Sequence, residues 1–305
     1  MLATRTPASS GAMANHAMAN SAMSNGSVSQ AQSLTTSNRQ SPAGANGPGA
    51  PTLLVASGRG GSGTTLIASL LAVAAAGDGH RVLFIDADDV VGPASMLLGV
   101  RGAPTWQELR SSQRSAADVI TPVSETLSIV AGGVAAGTDA IAVNPTERRA
   151  CMRRLLSVTS GFDLVVIDCG SRLDALTASL TPHAGERLLA ITAGSDPVTL
   201  ASTYALVKAA RLRHASLSVE MIVNRQDDAD AQRSFDALDA GARQFLGISL
   251  TLAGIVSYDR TLDTALRAGM SFWDAAAGSP AAIAAHDVAA RIMSPLSLSL
   301  SRSGL

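Results

Sequence analysis

The chain has 305 residues, of which 47% are hydrophobic and 15% charged, enough to bury one large core. Its formal net charge of −1, with no basic block or stripe, gives no electrostatic case for nucleic acid or an anionic membrane surface. Cys151 and Cys169 stand far apart and without metal-ligand spacing, which excludes a disulfide framework and suits small core residues in a reducing compartment.

Taken in chain order, residues 1–50 are rich in Ala, Ser, Asn, Gly and Gln and lack hydrophobic periodicity, so a disordered tail is expected there. No basic stretch leads into an apolar run of signal-peptide length, and no apolar run of about 18 residues follows, so neither secretion nor a membrane span is expected. From Pro51 onward short apolar runs alternate with helical patterns. Strands are predicted at Thr52–Ser57, Arg81–Asp86, Leu127–Ala131, Leu164–Asp168, Arg187–Thr192, Leu217–Asn224 and Thr251–Val256. Helices are predicted near Thr65–Gly77, Pro145–Ser160, Pro197–Arg213, Ala229–Leu246, Asp259–Ala268 and Pro280–Met293. Runs such as Leu83-Phe84-Ile85 and Leu164-Val165-Val166-Ile167 are apolar on both faces, as a parallel sheet covered by helices on each side requires. The expected fold is α/β, a doubly wound, mostly parallel sheet over residues 51–293, followed by a tail at 294–305.

The first strand runs into Ser57-Gly58-Arg59-Gly60-Gly61-Ser62-Gly63-Thr64-Thr65 and then into an apolar helix. Glycines at that junction let backbone N–H groups and the helix N-terminus face an anion, and phosphate is the natural ligand. Gly58, Arg59, Gly60, Gly61, Ser62, Gly63, Thr64 and Thr65 are the candidate phosphate-binding residues. Asp86 and Asp88 close the second strand and Asp168 closes the fourth, at the carboxyl edge where open α/β sheets hold ligands. A hard cation such as Mg²⁺ takes a hydroxyl, waters and phosphate oxygens beside one or two carboxylates. Thr65 is the candidate hydroxyl, Asp86 or Asp168 the holder of coordinating water, and Asp88 the catalytic residue that orients an attacking water.

These segments resemble the MinD/ParA-type deviant Walker A P-loop ATPases, whose loop reads Lys-Gly-Gly-x-Gly-Lys-Thr where this chain has Arg59-Gly60-Gly61-Ser62-Gly63-Thr64-Thr65. Within that group the flagellar number regulator FlhG, also called FleN or YlxH, is most similar, through Val82–Asp88, Leu127–Gly133, Phe162–Gly170, Thr199-Leu200 and Val223-Asn224-Arg225. The resemblance implies binding of ATP and Mg²⁺, homodimerisation, and contact between Asn224 and adenine. It also implies a partner: Ser29-Gln30-Ala31-Gln32-Ser33-Leu34-Thr35 matches, at Gln30, Ala31 and Leu34, the family's N-terminal motif that activates the GTPase FlhF.

The departures matter equally. Arg59 keeps a cation where the family's first lysine reaches across the dimer, but Thr64 cannot replace the second lysine's charge. Lys208 is the only lysine in the chain, so none near the loop substitutes for it. Losing one preorganised charge costs on the order of 10²–10³ in rate, so slow or absent hydrolysis is expected. Pro93 and Ser257 replace a family asparagine and proline. The family's membrane-binding C-terminal helix has little counterpart here, because Ser294–Leu300 alternates with period two and has no basic face. What the resemblance implies is an ATP-binding regulator of flagellar number or placement, cytoplasmic or peripheral at the inner membrane face or cell pole. Another MinD/ParA-type positioning protein, for chromosome or plasmid partition or pilus assembly, and a nucleotide-free scaffold remain open.

Overall fold

The structure, a computed structural model, describes residues 50–111, 114–133, 143–180 and 186–302, with side chains placed as far as Ser294. The expected N-terminal tail and its motif residues Gln30, Ala31 and Leu34 lie outside the described residues.

Eight strands form one sheet: β1 (Thr52–Ser57), β2 (Val82–Asp86), β3 (Thr121–Pro122), β4 (Leu127–Val130), β5 (Leu164–Gly170), β6 (Glu186–Thr192), β7 (Ser218–Asn224) and β8 (Thr251–Val256). Their spatial order is β3-β4-β2-β5-β1-β6-β7-β8, with every neighbouring pair parallel except β3 with β4. The chain steps from β1 across β5 to β2, and later from β5 across β1 to β6. The connections therefore leave in opposite directions beside β1, and the crevice above its carboxyl end is the switch point where such sheets bind ligands.

Each central strand serves two cores. Leu53 and Val55 of β1, Val82 and Phe84 of β2 and Leu164 and Val166 of β5 face the helices α1 (Thr64–Gly77) and α9 (Pro280–Arg302). Leu54 and Ala56, Leu83 and Ile85, and Val165 and Ile167 face the opposite layer. That layer comprises α3 (Pro145–Leu156), α4 (Leu173–Ser179), α5 (Pro197–Arg213) and α6 (Asp228–Leu246). The period of two in strand side-chain direction thus explains why the runs look continuously apolar. Among the described residues no helix is long and apolar enough to cross a membrane.

Local signals set the helix ends. Asn144 caps α3 by accepting from the Thr146 and Glu147 N–H groups, Asp196 caps α5 through Thr199 N–H, and Asp227 caps α6 through Asp230 N–H. α3 ends at Leu156, short of the predicted Ser160, because a separate 3-10 turn follows at Thr159–Gly161 and the Thr159 hydroxyl donates to the Leu156 carbonyl at 2.9 Å. The last helix continues to Arg302, past the predicted boundary at Met293; the leucine–serine alternation beyond it carries no helical period from which to read a helix. α2 (Pro93–Leu97), α4, α7 (Arg260–Arg267), α8 (Phe272–Ala276) and the two-residue β3 complete the unit. Of these only α7 shows in the sequence pattern, since the others span seven residues or fewer.

Candidate phosphate-binding site

The loop from Gly58 to Gly63 joins β1 to α1 at the switch point. Gly61 and Gly63 have φ of 81° and 80°, left-handed values that cost glycine little and that turn successive N–H groups toward one side. Gly63 is the N-cap of α1 and offers no side-chain cap, so the first N–H groups of a 14-residue helix stay available to an anion. Gly58 has a different reason to be glycine: a Cβ there would lie 2.2 Å from the Ser202 carbonyl carbon of α5.

The sheet register brings the acidic residues to the same place. Asp86 on β2 and Asp168 on β5 are partners across the parallel pair, and the loop, both aspartates, Asp88, Thr64 and Thr65 line one cavity of about 310 Å³. That volume falls within the range of small-molecule sites. All the sequence-predicted loop residues except Gly58 and the buried Ser62 line it; Ser62 instead closes the turn, its hydroxyl donating to the Arg59 carbonyl at 2.8 Å.

The two carboxyls differ in what holds them. Asp86 is fully buried; its Oδ1 accepts from Asp88 N–H at 3.0 Å and its Oδ2 from Ala94 N–H at 2.9 Å. Burial, reinforced by the charge of Asp168, pushes its pKa up to about 8. Asp168 is raised to about 6, again mainly by burial, although the Thr65 hydroxyl and Gly170 N–H groups bond to it and oppose the shift. The Thr65–Asp168 contact is the hydroxyl-plus-carboxylate set that suits Mg²⁺, whereas Asp86 spends both oxygens shaping the loop that follows β2. Asp86 therefore organises that loop, while Asp168 and Thr65 form the better cation donors. Among the described residues no group of three or more His, Cys, Asp or Glu side chains makes a protein-only metal site, so a cation here needs phosphate and water to complete its shell.

Asp88 lines the cavity and is partly exposed; its Oδ1 accepts from Val90 and Val91 N–H at 2.7 and 3.0 Å, which fixes the carboxylate at the cavity edge. Thr64 lines the cavity without charge, and its hydroxyl donates to Ser57 Oγ, also on the cavity wall, at 2.8 Å. Lys208 is exposed on α5 and does not line the cavity. Arg59 donates to Thr199 Oγ1 at 3.2 Å and lies 3.9 Å from Asp196, so its 58%-exposed side chain leans on the start of α5 at the cavity rim.

Asn224, at the end of β7, donates to the Ser62 carbonyl at 2.8 Å and is buried. Its amide nitrogen is thereby committed to the loop, and its oxygen is the atom left to accept from a ligand. A second recess of about 70 Å³ adjoins the first through Gly63 and Leu66, and is lined by Asn224, Arg225 and Tyr258. Arg225, whose φ is 63°, lies over the Tyr258 ring at 5.1 Å. The position fits a flat base beside a phosphate site.

Sequence reasoning missed an ion cluster behind the cavity. Arg148 is fully buried, donates to the Ala87 carbonyl at 3.0 Å, pairs with Asp89, and reaches Asp174 at 3.2 Å. Arg172, which lines the cavity, pairs with Asp89 and lies 2.9 Å from Asp174. The one available signal was a lone arginine four residues after a strand-ending aspartate; nothing in the sequence says that Arg148 comes to the same point.

Residues 51–194 match the family model described as AAA domain. The antiactivator FleN of Pseudomonas aeruginosa is 25% identical over 250 residues, covering 79% of this chain and 85% of FleN. Two solved structures share the fold. The septum site-determining protein MinD of Pyrococcus horikoshii, complexed with Mg-ADP, has a TM-score of 0.66 and 22% identity over 82% of this chain and 98% of that one. A Cyanothece McdA variant in complex with ATP has a TM-score of 0.61 and 21% identity, over 81% and 97%.

Proposed function

Because the chain is a MinD/ParA-type P-loop protein related to FleN, we propose that it binds Mg-ATP and acts as a nucleotide-switched regulator of flagellar number or placement. The observation that carries the nucleotide reading is the convergence of a glycine loop, the Thr65–Asp168 pair and Asp88 on one cavity at the switch point. FleN is an antiactivator, which favours a regulatory output over one in chromosome partition. The absence of a basic block or stripe in the sequence points the same way.

Thr65 and Asp168 would hold Mg²⁺, and the loop N–H groups would cradle the phosphates. When bound, the cation supplies charge neutralisation between phosphate oxygens. Asp88 would orient water at the phosphate end. With an uncharged Thr64, its hydroxyl bonded to Ser57, in the lysine's place, the reading is slow hydrolysis or none, and binding rather than turnover sets the state of the protein. Val90, Val91 and Leu173 are 58%, 65% and 45% exposed, in segments whose Asp88, Pro93 and Arg172 line the cavity. Their exposure around the ligand opening suits a second copy of the chain closing over the nucleotide. The output would pass to an FlhF-like GTPase, through residues 29–35, in the cytoplasm or at the membrane's inner face.

Sedimentation of the purified chain tests the switch: Mg-ATP should convert monomer to dimer and Mg-ADP should not. Deleting the gene in its host should change the count or placement of flagella. A deletion that leaves flagella unchanged while altering partition or pilus assembly would move the protein to another branch of the same family.

A further inference from the structure

We propose that Arg172 supplies the positive charge for the nucleotide's phosphates that Thr64 does not, an inference that rests on the nucleotide reading above. Three observations carry it. First, a site for a polyphosphate on this loop has two arginines on its wall, Arg59 and Arg172, and no lysine. Arg59 leans onto Thr199 and Asp196 at the start of α5, whereas Arg172 follows Gly170 and Ser171 directly after β5, the strand that carries Asp168.

Second, Arg172 has donors to give. A guanidinium carries five N–H groups. Nε and Nη2 donate to the two oxygens of Asp174 at 3.2 and 2.9 Å, and Nη1 donates to Asp89. One hydrogen on each terminal nitrogen remains to donate to a phosphate oxygen. The side chain is 38% exposed and lines the cavity, so the remaining donors are open to a ligand.

Third, the carboxylates around it are not stranded if Arg172 turns to a phosphate. Asp89 keeps its pairing with the fully buried Arg148, and Asp174 keeps Arg148 at 3.2 Å. Arg148 is thus the fixed counter-ion that lets Arg172 exchange a carboxylate oxygen for a phosphate oxygen. The same exchange couples the ligand to Asp89, and through it to the loop that carries Asp88, Val90 and Val91.

The test is a double-mutant cycle on the full chain, with Mg-ATP and AMP binding measured by calorimetry. Arg172→Gln should weaken Mg-ATP by about 10- to 100-fold, and change AMP by less than about threefold. In a Thr64→Lys background the same substitution should cost less than about threefold, because the restored lysine now carries the charge. Equal losses in both backgrounds, or no loss in the wild-type background, would overturn the proposal while leaving the nucleotide reading intact. Wild type that binds no Mg-ATP would instead remove the nucleotide reading and the proposal with it. Should Arg172→Gln not fold, arginine-directed labelling of the unmodified chain decides: Mg-ATP should protect Arg172 and AMP should not, and equal labelling with either nucleotide would contradict the proposal.

Discussion

The Thr64 hydroxyl donates to Ser57 Oγ at 2.8 Å, joining the first residue of α1 to the last of β1 beneath the phosphate-binding loop. A lysine at 64 would lose that bond and gain a charge at the cavity, since Thr64 already lines it. Thr64→Lys should therefore tighten Mg-ATP binding by about tenfold or more, at a stability cost of about 1 kcal/mol from the lost Thr64–Ser57 bond. Calorimetry and a urea melt on the same variant read the two effects separately.

Arg59 is placed at the rim rather than at the floor, which separates two roles. Arg59→Ala should leave Mg-ATP affinity within about threefold of wild type and abolish Mg-ATP-dependent dimerisation, as seen by sedimentation. A large loss of affinity in the monomer would show that Arg59 serves its own chain's nucleotide.

The buried aspartates make an apo protein that loses stability as pH rises. Asp86 and Asp168 hold protons in the folded state up to about pH 8 and about pH 6, whereas the unfolded chain releases them near 3.8. The folded state then binds more protons than the unfolded state across that window, so unfolding free energy falls with increasing pH. Urea midpoints of the apo protein should drop between about pH 5 and pH 8, and Asp86→Asn should remove most of the slope. Mg-ATP should stabilise more at the alkaline end, because a cation takes the place of a proton at Asp168.

Much of this was legible in the sequence. The strands appear as Leu-Val-Val-Ile runs because both faces are buried, and the loop appears because glycine is what a left-handed turn against α5 and an anion cradle requires. The convergence of Asp86, Asp88 and Asp168 followed from the carboxyl-edge rule for parallel sheets. What stayed hidden depends on register and rotamer. Sequence could not show that Asp86 uses both oxygens on backbone N–H groups, that Asn224 gives its amide nitrogen to Ser62, or that Arg148, in α3, returns to Asp89. The short helices α2, α4 and α8 were missed for a related reason: at five to seven residues they complete too few turns for a period to register.

The Arg148 cluster gives the largest stability prediction. Arg148→Ala removes a fully buried cation, leaves Asp89 without its inner partner and strips the contact 5.5 Å above the Trp106 ring. A loss of about 3–5 kcal/mol is expected in urea unfolding. Arg148→Met together with Asp89→Leu, which removes both charges, should recover much of it.

Gly63 tests the loop without touching charge. A Cβ there would stand 2.6 Å from Asn224 Nδ2, at a φ of 80° that an L side chain rarely adopts. Gly63→Ala should break the Asn224–Ser62 bond and reduce Mg-ATP binding by about 10-fold or more, while the sheet and its thermal transition persist.

The central claim is that the cavity above β1 binds Mg-ATP despite the missing lysine. Calorimetric titration of the purified full chain with Mg-ATP tests it most directly. The expected result is saturable, micromolar binding of one nucleotide per chain, lost in Gly63→Ala. No binding by folded wild type, with binding restored by Thr64→Lys, would contradict it and leave a fold that works as a nucleotide-free scaffold.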